Sequence, residues 1–318
     1  MCHCDRKDSM DKLIVITGTN ASGKSGLGVE LAKRFDGEIV SADSRQVFTG
    51  LDLGSGKITK EEMQGIPHYM IDVAAPNDFF SLKDYQTGAY AAIDDIIDRG
   101  KSPFLVGGTG LYINSVVDGY NLTDAKPDLE IRKKIEAMSR EDIIAHLEGV
   151  NPDALKSVDI LNKRRLERAL EKSLAGYSHD NESIPKYEVL EIGVTWPREV
   201  LYERIRIRLD KRLNEGMIDE VKSLRENGAT DDFLFKLGLE YRYILMYLRG
   251  DFSDYDAFYN KLFMEIRHLA KEQMTWFRKR KNIKWIDMED NPEDAATRLI
   301  EGFLTVPDGG IYEFKRQT

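Results

Sequence analysis

The stretch Gly18-Thr19-Asn20-Ala21-Ser22-Gly23-Lys24-Ser25 follows the apolar run Leu13-Ile14-Val15-Ile16. A glycine-rich turn between a strand and a helix aims its backbone N–H groups at one point, and the positive end of the helix adds to the attraction for phosphate oxygens. Lys24 supplies a point charge, and Ser25 a hydroxyl within reach of Mg²⁺. These eight residues predict a phosphate grip. Gly54-Ser55-Gly56-Lys57 looks similar, but Leu51 stands where the pattern needs its first glycine, so it is not a second one.

Asp43 closes a second strand-like run, Glu38-Ile39-Val40-Ser41-Ala42-Asp43. Ligands of open α/β sheets gather beyond the carboxyl ends of the strands, so Asp43 is expected near the bound phosphates. There it can ligate Mg²⁺ through water, act as a general base, or cap a turn. A switch-type NTPase usually ends a buried strand in an aspartate that helps hold Mg²⁺. Here residues 104–106 run instead into Gly107-Gly108-Thr109-Gly110. That argues against a hydrolysis-driven motor or switch and leaves group transfer.

Arginines supply further candidates. Arg204, Arg208 and Arg212 recur at i, i+4 and i+8, so they share one helix face with Arg206 turned away, and such a face can offer guanidinium forks to phosphate. Over 258–281, Leu262, Ile266, Leu269, Gln273 and Phe277 fall on one side of a helix. Arg267, Lys271, Met274 and Arg278 fall on another, a cationic stripe that suits a phosphodiester backbone. Lys163-Arg164-Arg165 with Arg168, and Arg278-Lys279-Arg280-Lys281, are equally dense.

The elements that must position these residues read as an α/β protein. Strands are expected at 13–18, 38–43, 69–73, 103–108, 189–196 and 283–286, alternating with helices at 23–34, 82–99 and beyond, which implies a parallel sheet. Residues 118–187 break the pattern with charged helical segments at 129–138, 140–147 and 162–174. They read as an all-helical insertion domain within a P-loop NTPase-like core of 12–117 and 188–318, with 176–185 a mobile loop and 1–11 a disordered leader. Cys2-His3-Cys4 in that leader is too tightly spaced for a zinc site. The chain has 318 residues, 42% hydrophobic and 32% charged, as in ordinary globular proteins. No apolar run approaches the roughly 18 residues that span a bilayer, and no signal-peptide core is seen, so the expectation is a cytoplasmic monomer with no membrane partner. The net charge of -9 speaks only mildly against nucleic acid, because binding needs a local patch.

Taken in order, the motifs resemble the tRNA dimethylallyltransferase family over nearly the whole chain. The resemblance rests on the phosphate loop, on Ser41-Ala42-Asp43-Ser44-Arg45-Gln46-Val47-Phe48 continuing to Gly54 and Lys57, and on Pro67-His68-Tyr69-Met70-Ile71-Asp72. It rests equally on Leu105-Val106-Gly107-Gly108-Thr109-Gly110-Leu111-Tyr112, Arg168-Ala169-Leu170-Glu171, Leu201-Tyr202-Glu203-Arg204-Ile205, and Arg267-His268-Leu269-Ala270-Lys271 with Gln273, Thr275, Trp276 and Arg278. The family likeness implies transfer of a dimethylallyl group from dimethylallyl diphosphate to N6 of the adenosine next to the anticodon of tRNA, with loss of diphosphate. It implies Asp43 as the base, Lys24, Mg²⁺ near Ser25 and Arg208 on the leaving diphosphate, and an adenine drawn out of its stack. Contacts to the anticodon stem-loop carry over to Asp43, Ser44, Arg45, Gln46, Thr109, Arg132, Arg164, Arg165, Arg168, Lys271, Gln273 and Arg278.

Four segments depart from the family pattern. Asn20 stands in place of threonine, Arg45 in place of an apolar residue, and Leu161-Asn162-Lys163-Arg164-Arg165 differs from the usual Asn-Asp-Pro version. Gly238-Leu239-Glu240-Tyr241-Arg242 replaces a shorter Gly-Tyr-Arg segment. Three other activities compete on the same residues: prenylation of free adenine nucleotides, a small-molecule P-loop kinase, and a non-catalytic RNA-binding module. The first has less need of the insertion, the second lacks an acceptor signature, and the third would not need the loop and Asp43 intact.

Overall fold

Successive residues of the first strand face opposite layers, as the two-residue period of a β-strand requires. Leu13 and Val15 join one apolar cluster, while Ile14 and Ile16 join another. The strand is buried on both faces, which is why its sequence reads as an unbroken apolar run. The computed structural model describes residues 10–122, 128–176 and 183–305. Cys2-His3-Cys4 and most of the loop at 176–185 lie outside the described residues.

Among the described residues six strands form one sheet: β1 Lys12–Gly18, β2 Gly37–Ala42, β3 His68–Tyr69, β4 Ser102–Gly107, β5 Glu188–Thr195 and β6 Lys284–Asp287. Their order is β3-β2-β4-β1-β5-β6, and every pairing is parallel. The helices of the first half are α1 Lys24–Arg34, α2 Lys60–Met63, α3 Leu82–Asp98, α4 Gly110–Val117, α5 Leu129–Glu136, α6 Arg140–Val150, α7 Pro152–Ser157 and α8 Lys163–Leu174. Those of the second are α9 Arg198–Asn214, α10 Met217–Glu226, α11 Asp231–Leu237, α12 Leu239–Leu248, α13 Tyr255–Phe277 and α14 Pro292–Thr305. The fold is α/β, with helices on both faces of a parallel sheet. α1 and α14 cover one face through Leu27, Leu31, Ile300 and Phe303. On the other, α3, α4, α9, α12 and α13 bury Tyr85, Ile93, Ile113, Ile205, Tyr241 and Phe258.

This topology decides where the site can be. β4 lies between β1 and β2, so three neighbouring parallel strands release their chains at one edge. From there come the turn after Gly18, Asp43, and Gly107-Gly108. Two elements differ from the sequence expectation. The strand expected at 69–73 stops at Tyr69, because Met70 and Asp72 take positive φ angles of 61° and 54° that end the extended run. After Gly107-Gly108 the chain enters a helix, α4, whose first residue leaves no room for a side chain: a Cβ on Gly110 would lie 2.4 Å from the Trp276 ring.

Residues Tyr120–Ile184 form a separate compact unit. Its helices α5 to α8 bury Ile135, Ile143, Leu147, Ala154, Leu166, Ala169 and Leu170 in a core of their own. Ser139, Asn151 and Asn162 cap α6, α7 and α8, each side chain accepting a backbone N–H of the first turn. Among the described residues no helix is long and apolar enough to cross a membrane.

Candidate active site

The glycine-rich loop after β1 is held open by its own backbone. Ala21 and Gly23 adopt φ angles of 58° and 86°, the left-handed conformation from which consecutive N–H groups can form an anion-binding concavity. Its carbonyl groups are occupied elsewhere. Arg204 Nε donates to Ala21 O at 2.9 Å, Trp196 Nε1 to Ser22 O at 2.8 Å, and Lys24 Nζ to Thr19 O at 3.2 Å. The Ser22 hydroxyl is buried with no hydrogen-bond partner among the described residues, and Ser25 is exposed at the start of α1.

One cavity collects the rest. Asn20, Ala21, Lys24 and Ser25 line it with Asp43, Arg45 and Gln46, and Arg208, Arg212 and Glu240 contribute from α9 and α12. Asp43 follows β2 directly. Its Oδ1 accepts the backbone N–H of Arg45 at 2.9 Å and of Gln46 at 3.4 Å. The carboxylate caps a turn with one oxygen, and among the described residues no donor is bonded to the other. Thr109 steadies the neighbouring residue, its Oγ1 accepting the Ser44 N–H at 3.0 Å. Gln46 Nε2 and Arg208 Nη2 both donate to Gly56 O, at 3.3 and 3.1 Å. A Cβ on Gly56 would sit 1.5 Å from the Arg212 guanidinium, so the chain there must be glycine for the arginines to approach.

The three arginines on one face of α9 divide their work. Arg204 stacks 4.4 Å over Trp196 and is committed to the loop; Arg212 faces Glu240 at 3.4 Å. Arg208 has no carboxylate within ion-pair distance among the described residues. Burial pushes its pKa down to about 10, with the charge of Arg212 adding to the effect. Burial likewise lowers Lys24 to about 8, helped by the Arg208 charge and opposed by Asp43. Two cations held this far below their ordinary values form a site that gains from an incoming polyanion.

The 22 residues that line this cavity all belong to the sheet unit. A match to the IPP transferase family model covers residues 46–280. The chain belongs to that family. It is 39% identical over 305 residues to the tRNA dimethylallyltransferase of Halalkalibacterium halodurans, covering 92% of this chain and 96% of the relative. It is 41% identical over 298 residues to tRNA dimethylallyltransferase 2 of Citrifermentans bemidjiense, with the same coverage. Among solved structures it resembles the full-length tRNA isopentenylpyrophosphate transferase from Bacillus halodurans with a TM-score of 0.70 and 38% identity, over 92% of this chain and 95% of that one.

The remaining candidates sort into two groups in this IPP transferase. Gln273 is engaged within the chain: Oε1 accepts the Asn20 N–H and Nε2 donates to Gly108 O, each at 2.9 Å. Lys271 and Arg278 are exposed on α13 and just beyond it. Arg267 corrects the expected stripe, because its guanidinium lies 4.0 Å over the Tyr202 ring and its Nε is buried. Arg280 corrects the basic run in the same way. It makes forked bonds to Glu191 at 2.6 and 2.7 Å and two to Asp118 at 2.9 Å. In the helical unit Arg132 and Arg168 share the carboxylate of Glu171, at 2.8 and 2.5 Å, while Arg164 and Arg165 are exposed.

Sequence reasoning missed two carboxylates. Glu240 is 2% exposed and pairs with Arg45 at 2.6 Å. Glu220 gathers the N–H groups of Asp52, Leu53 and Gly54 at 2.6–3.0 Å, which folds the loop that carries Gly56. Lys57 braces the same loop against Asp52 and Asp72. All three contacts join residues far apart in sequence or across a loop, where no local period signals them.

Proposed function

We propose that this chain transfers the dimethylallyl group of dimethylallyl diphosphate to N6 of the adenosine next to the anticodon in tRNA. The observation that carries the reading is the single cavity lined by the phosphate loop, Asp43 and Arg208. The tRNA dimethylallyltransferase names of its relatives support it.

The chemistry needs two charges handled at once. As the allylic C1–O bond breaks, negative charge grows on the leaving diphosphate, where Lys24, Arg208 and the loop amides stabilise it; one such donor is commonly worth a factor of about 10² to 10³. The N6 lone pair is delocalised into the ring, which makes it a weak nucleophile; as N6 bonds to C1 it becomes cationic, and losing a proton restores the neutral conjugated amine. The open carboxylate oxygen of Asp43 takes that proton. The turn on Oδ1 fixes the direction in which it points.

Mg²⁺ fits this donor set. Mg²⁺ keeps several waters and binds mainly through substrate phosphates with few protein ligands, and the Ser25 hydroxyl beside the cavity offers one. Bound there with diphosphate oxygens, it would supply further charge neutralisation on the leaving group. Affinity for the anticodon stem-loop is assigned to exposed bases, Lys271 and Arg278 on the sheet unit and Arg164, Arg165 and the Glu171-paired Arg168 on the helical one, with the half-buried Arg132 beside them on Glu171.

Labelled dimethylallyl diphosphate offered with unmodified tRNA, AMP and ATP tests the reading. Label on tRNA adenosine is expected. Label on AMP or ATP alone would move the chain to free-nucleotide prenylation, and label on no acceptor would remove the transfer itself.

A further inference from the structure

Glu240 is the first acidic residue of α12, and its carboxylate reaches into the wall of the cavity. Oε2 takes Arg45 Nη1 at 2.6 Å and Oε1 takes Arg212 Nη1 at 3.4 Å. One buried anion therefore serves two guanidinium groups. The Arg45 side chain is only 12% exposed and lines the same cavity as three further cations: Lys24, Arg208 and Arg212. Burial opposes its charge, yet the carboxylates of Glu240 and Asp43 more than offset this and hold its pKa above the ordinary value. Without Glu240, like charges would drive the Arg45 side chain from its place.

Its place matters because of the main chain behind it. The N–H of the same Arg45 is the donor that grips Asp43 Oδ1 at 2.9 Å. A continuous path runs from the α12 carboxylate, through the Arg45 guanidinium and backbone, to the carboxylate beside the phosphate loop. We propose that Glu240 is a positioning residue that aims Asp43 through Arg45. This rests on the reading of Asp43 as the base.

The full-length enzyme tests it by steady-state kinetics on tRNA and dimethylallyl diphosphate. Glu240→Gln and Arg45→Met should each lower kcat at least tenfold while the KM values for both substrates stay within about threefold. Because both act through one path, the double variant should fall no further than the worse single variant, whereas independent roles would multiply. Multiplying losses, or unchanged kcat in Arg45→Met, overturn the proposal. So does a loss confined to KM for dimethylallyl diphosphate, which would make Arg45 a direct diphosphate ligand. If Glu240→Gln loses its cooperative melt, Arg45→Met alone decides by the same split between kcat and KM. Asp43→Asn separates the two readings. If it keeps turnover, the base reading fails and takes the positioning role with it; if it is inactive while Arg45→Met keeps kcat, only the positioning role fails.

Discussion

Gln273 and Asn20 lie 253 residues apart, and the side-chain Oε1 of the first accepts the backbone N–H of the second at 2.9 Å. The amide nitrogen of Gln273 donates to Gly108 O at the same distance, so α13 ties the loop after β1 to the turn after β4. Both partners are rigid backbone, which makes the tie a brace for the glycine-rich loop proposed to hold the diphosphate.

Gln273→Ala should therefore loosen the loop and weaken dimethylallyl diphosphate binding by about tenfold, the effect of losing two neutral hydrogen bonds of about 1 kcal/mol each with partial compensation by water. Calorimetric titration with the diphosphate reads this directly. The salt dependence of tRNA binding should be unchanged, because no charge is removed. The opposite pattern, an altered tRNA affinity with normal diphosphate binding, would return Gln273 to the RNA surface.

Asp43→Asn tests the proposed base. The amide keeps an acceptor oxygen for the Arg45 N–H, so the turn and the melting temperature should persist while proton acceptance is lost. Turnover should drop by about 10² to 10⁴, and binding of tRNA and of the diphosphate should stay within a few-fold, since the lost interaction acts in the transition state. Single-turnover rates compared with equilibrium binding make the check.

Lys24 gives a pH signature. Its ordinary pKa of 10.5 falls to about 8 in the folded, ligand-free protein. Between those values the unfolded chain holds a proton that the folded chain has released, so this group's contribution to stability rises with pH across that window. Diphosphate binding has the opposite sign. The ligand favours the protonated lysine, so affinity is full below about 8 and weakens by up to tenfold per pH unit above it, with proton uptake on binding. Titrations at pH 8.5 in buffers of different ionisation enthalpy should show that uptake, and Lys24→Met should abolish it.

The parts legible in the sequence are those with local periods. The run 13–16 and the loop after it announce a strand buried on both faces and a tight glycine turn with left-handed residues, because both signals are contiguous. α9 was legible as a face of three arginines because their spacing is four. What opposed each face was not legible. The same spacing that marks Arg204, Arg208 and Arg212 cannot show that a loop carbonyl takes the first and Glu240 the third. α13 illustrates the limit further: the period places Arg267 beside Lys271, but Tyr202 on α9 covers the first, and no local spacing distinguishes the two. α4 escaped notice because two glycines before it read as a turn and its eight residues are too few for a clear period.

Arg278 and Arg280 are two residues apart and should behave as different kinds of residue. Arg280 sits between Glu191, which is 4% exposed in the middle of β5, and Asp118. Removing it strands a carboxylate in the sheet, at a cost of about 3–5 kcal/mol, enough to lower the melting temperature by about 10 °C in a domain of this size. Arg278 and Lys271 are exposed, so the double variant Lys271→Ala with Arg278→Ala should melt normally. What it should lose is phosphate contact. Each cation on the nucleic acid releases counterions, so the log-log slope of tRNA affinity against salt should flatten by roughly 0.7 to 0.9 per residue, with dimethylallyl diphosphate binding intact. Filter binding from 50 to 200 mM salt, run beside a thermal melt of each variant, separates the two roles. A normal slope in the Lys271 and Arg278 double variant would mean that this face of α13 meets only solvent, and that Arg164 and Arg165 carry the backbone contacts.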